Sequence, residues 1–184
     1  MKFILQSIPD VFLIEPTLNY DSRGYFAEMF RQDLFKKNIG YDVNFIQDNE
    51  SNSPKGTLRG LHYQLKPYAQ AKLVKVVKGC VLDVVVDIRK SSKTFGQHIA
   101  VELSSSNKKQ LFVPRGFAHG FVVLSEEATF CYKVDNYYAS KYERGIAFND
   151  KNLGINWQLS HEILKLSPRD KTLPTLNNIN KLFD

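Results

Sequence analysis

The chain has 184 residues, 43% of them hydrophobic and 12% aromatic, enough for one ordinary domain with a substantial core. Its 25 Lys and Arg outweigh 19 Asp and Glu, and the formal charge of +6 favours anionic partners. No basic run exceeds two residues and no apolar stretch approaches the roughly 18 residues of a membrane span, so nucleic acid and membrane are both disfavoured as partners.

The N-terminal apolar run, Met1-Lys2-Phe3-Ile4-Leu5-Gln6, stops too soon for a signal peptide. Short runs rich in Val, Ile, Phe and Tyr between turn signals predict strands over 11–15, 24–30, 43–47, 57–64, 71–77, 81–88, 98–103, 110–113, 120–124 and 129–134. Gly79 separates two of them as a hairpin turn, and Gly96, Asn107 and Gly116 punctuate others. One helix is expected over 31–38 with Gly40 as its stop, and a short one near 161–165. Ten closely spaced strands with so few helices predict a mainly β fold, an antiparallel sandwich or barrel of jelly-roll type. The whole chain, 1–184, reads as one domain, with a barrel core over about 43–138 and N-terminal strands and a C-terminal helical segment appended.

Alternation within 81–88 sets Asp83, Val85 and Asp87 on one face and Leu82, Val84, Val86 and Ile88 on the other. Tyr132 shares a face with Phe130 and Val134. Cys80 and Cys131 lie in apolar strand runs without CxxC spacing, which reads as two reduced, buried thiols in a cytoplasmic protein.

Arg59, His62 and Lys72 bring a guanidinium, an imidazole and an ammonium within fourteen residues. An imidazole exchanges protons near neutral pH, and the two cations hold phosphates or a developing oxyanion. The trio points to proton abstraction from an anionic substrate. Strict alternation puts Arg59 and His62 on opposite faces. Either Gly60 marks a bulge that re-aims one of them, or Arg59 reaches the site from the strand end.

Ordered motifs along the chain extend this reading. They are Asp21-Ser22-Arg23-Gly24-Tyr25-Phe26 with Glu28, Gln47-Asp48-Asn49, Gly56-Thr57-Leu58-Arg59-Gly60-Leu61-His62-Tyr63-Gln64 and Gln70-Ala71-Lys72-Leu73-Val74. Further on come Leu82-Asp83-Val84, Asp87-Ile88-Arg89, Phe112-Val113-Pro114, Gly116-Phe117-Ala118-His119-Gly120-Phe121, Tyr132-Lys133, Tyr137-Tyr138-Ala139 and Glu143-Arg144-Gly145-Ile146. In these motifs, from about residue 8 to 174, the chain resembles the 3,5-epimerases of nucleotide-linked 4-keto sugars, the dTDP-4-dehydrorhamnose 3,5-epimerase (RmlC) family.

The resemblance implies a cupin-like jelly-roll barrel and a cofactor-independent epimerase. A ketone at C4 of a hexose acidifies the hydrogens at C3 and C5. Epimerisation therefore needs a base, an acid on the opposite side and positive charge near the ketone oxygen. The resemblance assigns His62 as base, Asp170 as its orienting carboxylate, Tyr132 as the acid on the far face and Lys72 as the cation at the enolate. Asp83 stays open as a second candidate for orienting His62. The resemblance further assigns Arg23, Glu28, Gln47, Asn49, Arg59, His119, Glu143 and Arg169 to substrate contacts, and Tyr138 to stacking on the nucleobase. It implies a homodimer with exchanged N-terminal strands, which would bring Arg23 and Glu28 to the other subunit's site, and a place in making a deoxysugar for surface polysaccharide such as capsule or lipopolysaccharide.

The default substrate is dTDP-4-dehydro-6-deoxyglucose, with inversion at C3, C5 or both. A GDP-linked 4-keto heptose is the alternative, since segments near 41–43 and 137–142 depart in detail from rhamnose-pathway sequences. A sugar-nucleotide ketoisomerase and a non-catalytic nucleotide-sugar-binding barrel are the competing classes. The His119 segment is similar to a cupin metal motif, but the first such motif needs His-x-His where this chain has His62-Tyr63-Gln64. No metal is expected.

Overall fold

A computed structural model describes all 184 residues. In chain order the strands are β1 (Lys2–Leu5), β2 (Phe12–Glu15), β3 (Asn19–Asp21), β4 (Gly24–Phe26), β5 (Gln47–Pro54), β6 (Leu58–Gln64) and β7 (Lys72–Lys78). They continue with β8 (Cys80–Asp87), β9 (His98–Ser104), β10 (Gln110–Val113), β11 (Phe117–Val123), β12 (Glu127–Val134) and β13 (Glu143–Gly145). Six form one sheet in the order β1-β2-β10-β7-β12-β5, and five form a second in the order β13-β6-β11-β8-β9. β3 and β4 pair only with each other. Every ladder within these sheets is antiparallel. The result is a mainly β jelly roll of two sheets that do not join into one closed barrel.

Side-chain alternation explains the layering. On β8, Val81 and Val85 enter the core between the sheets with Val74, Val76, Phe117, Phe121 and Phe130. Leu82, Val84 and Val86, with Ile88 beyond, turn to the other face and meet Leu153, Trp157, Leu176 and Phe183 from the C-terminal segment. The second sheet is thus covered on both faces, which is why β8 and β11 read as near-continuous apolar runs. The one α-helix, α1 (Gln32–Ile39), packs Phe35 with Ile14, Val43, Leu73 and Phe112 outside the first sheet. It stops at Gly40, whose φ of 87° is left-handed and whose N–H caps Lys36.

The expected helix and most strands fall within a few residues of these bounds. The exceptions have physical causes. The strand expected over 43–47 begins instead at Gln47 and runs to Pro54. β5 has no apolar run because it is an edge strand, paired only with β12, with one face to solvent and the other partly covered. The strand expected over 24–30 ends at Phe26, and the one expected over 120–124 starts at Phe117, just after the Gly116 turn. β1, β3 and β13 are three or four residues long and carry too little pattern to announce themselves. The sheets also draw β1, β2 and β13 from outside 43–138. A single 3₁₀ turn, His161–Ile163, stands where the second helix was expected.

Cys80 and Cys131 are free thiols, but both are only partly buried, which corrects the fully buried reading. Each lies on a face that is not wholly covered, and Cys131 approaches Glu50 at 3.4 Å. Asp87 is fully buried and structural: it accepts from the Arg89 backbone and guanidinium and from the hydroxyls of Ser92 and Thr94. No helix is long and apolar enough to cross a membrane.

Candidate active site

A cavity of about 550 Å³ opens between the two sheets and the C-terminal segment, lined by Arg59, His62, Lys72, His119, Tyr132, Arg169 and Asp170 among others. One local irregularity sets its geometry. β6 pairs with β11 in the register His62 to His119 and Arg59 to Phe121. Gly60 and Leu61 therefore face Gly120 alone, a β-bulge. The extra residue turns Arg59 and His62 to the same side, which decides between the two arrangements open from sequence. Gly60 is required there: its φ is 136°, and a Cβ would lie 2.5 Å from Gly120 Cα.

His62 is partly open to the cavity, and its Nε2 lies 2.7 Å from Asp170 Oδ1. Asp170 comes from the 3₁₀ turn Asp170–Thr172, in a segment fastened to β6 by backbone bonds from Leu58 to Lys165 and from Lys165 to Gly56. Burial on its own would raise the Asp170 pKa. The bonds to His62 and to Ser167 prevail and hold it below the usual carboxylate value. Asp83, the other candidate orienter, does not meet His62. Its carboxylate pairs instead with His119 Nε2, at 2.9 and 3.0 Å.

Lys72 opens β7 and faces the same cavity. Burial lowers its pKa to about 8, against opposing pulls from Asp83 and Glu143. Tyr132 enters from β12, in the opposite sheet to His62. Burial raises its pKa, and Arg59 moderates the shift. The cavity therefore has an imidazole–carboxylate pair on one wall, a phenol on the other and an ammonium in the same space.

The remaining expected contacts divide into groups. Arg59 donates to Ser53 on β5 at 3.2 and 3.0 Å, bridging the two sheets. Gln47 donates to Asn49 at 2.7 Å, and Asn49 and Gln47 stand in register with Tyr132 and Val134 on the strand that also brings Ser51 to the cavity. The Tyr138 hydroxyl donates to Glu143 at 2.6 Å, and Arg169 pairs with the same carboxylate. Buried Gln64 holds the loop beneath Tyr138, donating to the carbonyls of Tyr68 and Tyr137 and accepting from the Ala139 N–H.

Arg23 and Glu28 are not brought to the cavity of their own chain. Arg23 pairs with Asp21 on the β3–β4 hairpin, and Glu28 lies 3.6 Å from Arg31. That hairpin pairs with neither large sheet, and Tyr20, Tyr25 and Phe26 on it are exposed.

Sequence reasoning passed over Phe121 and Phe130. Their rings stack across the sheets at 4.1 Å and 16° and form an apolar wall of the cavity. The signal was available, because residues 119 and 121, and 130 and 132, share faces by alternation. No three His, Cys, Asp or Glu side chains converge as a metal site would require.

This fold and this constellation suit proton transfer on an anionic substrate, and comparison with known proteins places the chain among sugar-nucleotide isomerases. Residues 6–178 match the family described as dTDP-4-dehydrorhamnose 3,5-epimerase. The chain is 54% identical, over 89% of its length and 91% of the relative's, to the dTDP-4-dehydrorhamnose 3,5-epimerase of Shigella flexneri. The crystal structure of that enzyme from Elizabethkingia anophelis superposes with a TM-score of 0.96 at 46% identity, covering 98% of this chain and 99% of the other. The Legionella pneumophila dTDP-6-deoxy-D-glucose-3,5-epimerase RmlC, in complex with dTDP-4-keto-L-rhamnose, superposes at 0.93 with 45% identity, covering 97% and 94%. The chain belongs to the dTDP-4-dehydrorhamnose 3,5-epimerase family, isomerases with a cupin-like jelly-roll fold.

Proposed function

We propose that this enzyme inverts C3 and C5 of a dTDP-linked 6-deoxy-4-keto hexose, dTDP-4-dehydro-6-deoxyglucose, through an enolate. One observation carries the mechanism: the His62–Asp170 pair and Tyr132 enter one cavity from opposite sheets, with Lys72 between them in the chemistry. Neutral His62 donates its Nε2–H to Asp170, which leaves Nδ1 with the lone pair. That nitrogen removes the hydrogen beside the ketone. As the pair of electrons moves into the ring, the ketone oxygen gains negative charge. The Lys72 ammonium stabilises that charge, by an amount on the order of 3 kcal/mol. Tyr132 then delivers a proton from the opposite face, and its raised pKa keeps the phenol protonated until needed. The ketone supplies the acidity, so the reaction calls for no redox cofactor.

Arg59, His119 and Arg169 serve the sugar and pyrophosphate, Gln47 and Asn49 extend the binding face, and Tyr138, held by Glu143, stacks on the base. Arg23 and Glu28 act in the site of a second copy, carried there by the exposed β3–β4 hairpin, so the working form is a homodimer. A dTDP-linked hexose is favoured over a GDP-linked heptose by the dTDP-sugar epimerases that the chain resembles across nearly its whole length. A nucleotide-sugar substrate also favours a cytoplasmic enzyme feeding deoxysugar and polysaccharide synthesis.

The test is solvent exchange. Incubation with the 4-keto sugar in heavy water should place deuterium at C3 and C5, read by NMR. Tyr132→Phe should still exchange hydrogen but return it to the same face. A migrated carbonyl would indicate a ketoisomerase, and absence of exchange with any 4-keto nucleotide sugar would indicate a binding protein.

A further inference from the structure

Four cations line the cavity, Arg59, Lys72, Lys165 and Arg169, against a single carboxylate, Asp170. Asp170 is committed to His62, and of the four cations only Arg169 has an ion pair, with Glu143. The reaction proposed above uses Lys72 at the enolate. Arg59 and Lys165 remain, with no carboxylate opposing their charge, and the proton transfer makes no use of Lys165.

Both are fixed at the same rim. Thr57, just ahead of Arg59 in the chain, forms a parallel bridge with Lys165. The Leu58 N–H donates to the Lys165 carbonyl at 3.0 Å, and the Lys165 N–H donates to the Gly56 carbonyl at 2.8 Å. The Lys165 backbone is thus clamped to the start of β6 while its side chain stays exposed. Arg59 is held differently. Its Nε and Nη2 donate to Ser53 Oγ at 3.2 and 3.0 Å, across to β5 in the other sheet, and its Nη1 has no acceptor within the protein. Ser53 is only 1% exposed. A carboxylate in that place would fix the guanidinium but also neutralise it. A hydroxyl fixes it and leaves its charge to a ligand.

We propose that Lys165 is a further pyrophosphate-binding residue of this site, acting beside Arg59, and that Ser53 is the positioning residue that aims Arg59. The identity of the ligand rests on the nucleotide-sugar reading above. A pyrophosphate diester bears one negative charge on each phosphate, and a pair of unopposed cations at one rim matches that pattern. The arginine offers a planar fork and the lysine a mobile point charge. Because the Lys165 ammonium is exposed, its contribution is modest and sensitive to salt.

Binding of dTDP, with thymidine as the phosphate-free control, tests both parts by NMR titration. Lys165→Gln should weaken dTDP about fivefold and leave thymidine unchanged. Raised ionic strength should narrow that gap, and Lys165→Arg should close it. Unchanged dTDP affinity, or an equal loss for thymidine, overturns the role of Lys165. Ser53→Ala should weaken dTDP about tenfold and raise KM more than it lowers kcat, and Ser53→Thr, which keeps the hydroxyl, should recover. In an Arg59→Met background, Ser53→Ala should cost no further dTDP affinity; a second, additive loss overturns the positioning role. Should Ser53→Ala not fold, the wild-type protein still decides. Its Arg59 Nε–H, followed by ¹⁵N NMR, should exchange slowly with solvent before any ligand is added, and fast exchange overturns the hold by Ser53. If the wild-type protein binds no dTDP at all, the nucleotide-sugar reading falls and takes this subsite with it. If it binds dTDP and the variants match it, only the roles of Lys165 and Ser53 fall.

Discussion

Two His–Asp pairs stand on neighbouring strands of one sheet, and their surroundings send them opposite ways. His62 and His119 face each other in register across β6 and β11. His62 opens to the cavity and takes its carboxylate from the distant C-terminal segment. There the hydrogen bonds outweigh burial, and Asp170 is held ionised. His119 and Asp83 are both enclosed within the sheet. There burial dominates, raising Asp83 and lowering His119 despite their bond, so the imidazole stays neutral. The same two residue types keep one ring partly exposed beside a lowered carboxylate, and the other nearly enclosed beside a raised one.

The sharpest way to break this contrast is to remove each imidazole in turn. His62→Ala should lower deuterium exchange about 10³-fold, the usual scale of a lost general base. His119→Gln should cost only about tenfold, the scale of one substrate hydrogen bond. Equal losses would show that the two pairs do not differ in role.

The carboxylate and the ammonium come next. Asp170→Asn should reduce kcat on the order of 10²-fold by releasing the ring orientation. Lys72→Met should lower kcat about 10²-fold with a smaller change in KM. Wild-type activity should fall as pH rises through about 8, where Lys72 loses its proton. Lys72→Arg should carry activity to higher pH, and an alkaline limb that stays in place would detach it from Lys72.

Stability should separate the pairs by sign. Asp170 has a folded pKa below the usual 3.8, so its stabilisation is complete above that value and disappears as pH falls through the folded pKa. Asp83 has a raised folded pKa, so its ionised form weighs against folding above that pKa, and acidification relieves the cost. Urea unfolding between pH 3 and pH 7 should therefore show Asp170→Asn converging on the wild type in acid. The pH-dependent part of the Asp83→Asn difference should run the other way.

The smallest effect concerns neither pair. Arg23→Ala should leave thermal unfolding unchanged, because Arg23 is exposed on the hairpin. It should raise KM several-fold if that hairpin serves a second copy. Mixing Arg23→Ala with His62→Ala should then bring the KM back towards the wild-type value through mixed dimers with one intact site; a KM that stays raised would place Arg23 outside the other subunit's site.

Much of the fold was legible because burial on both faces writes long apolar runs, as on β8 and β11, and because Gly40 can adopt the left-handed cap that ends α1. β5 was hidden because an edge strand with one solvent face needs no apolar pattern. The residue types of the site, His62, Lys72, Tyr132 and Asp170, were readable from ordered motifs. Chain order alone did not fix their pairing: the resemblance assigned Asp170 to His62 and left Asp83 open, and the structure makes the first pair while Asp83 meets His119.

By itself the amino-acid sequence determined the strand-rich architecture, the helix at α1 and the chemical groups present, because these depend on local periodicity and composition. The tertiary structure alone decided three things. The β6–β11 register fixed the bulge at Gly60 that turns Arg59 and His62 into one cavity. The docking of the C-terminal segment delivered Asp170 to His62 across 108 residues. The depth of each site left the His62 ring more exposed than the His119 ring. All three depend on contacts between residues far apart in the chain, where proximity and burial, rather than spacing, set charge and reach.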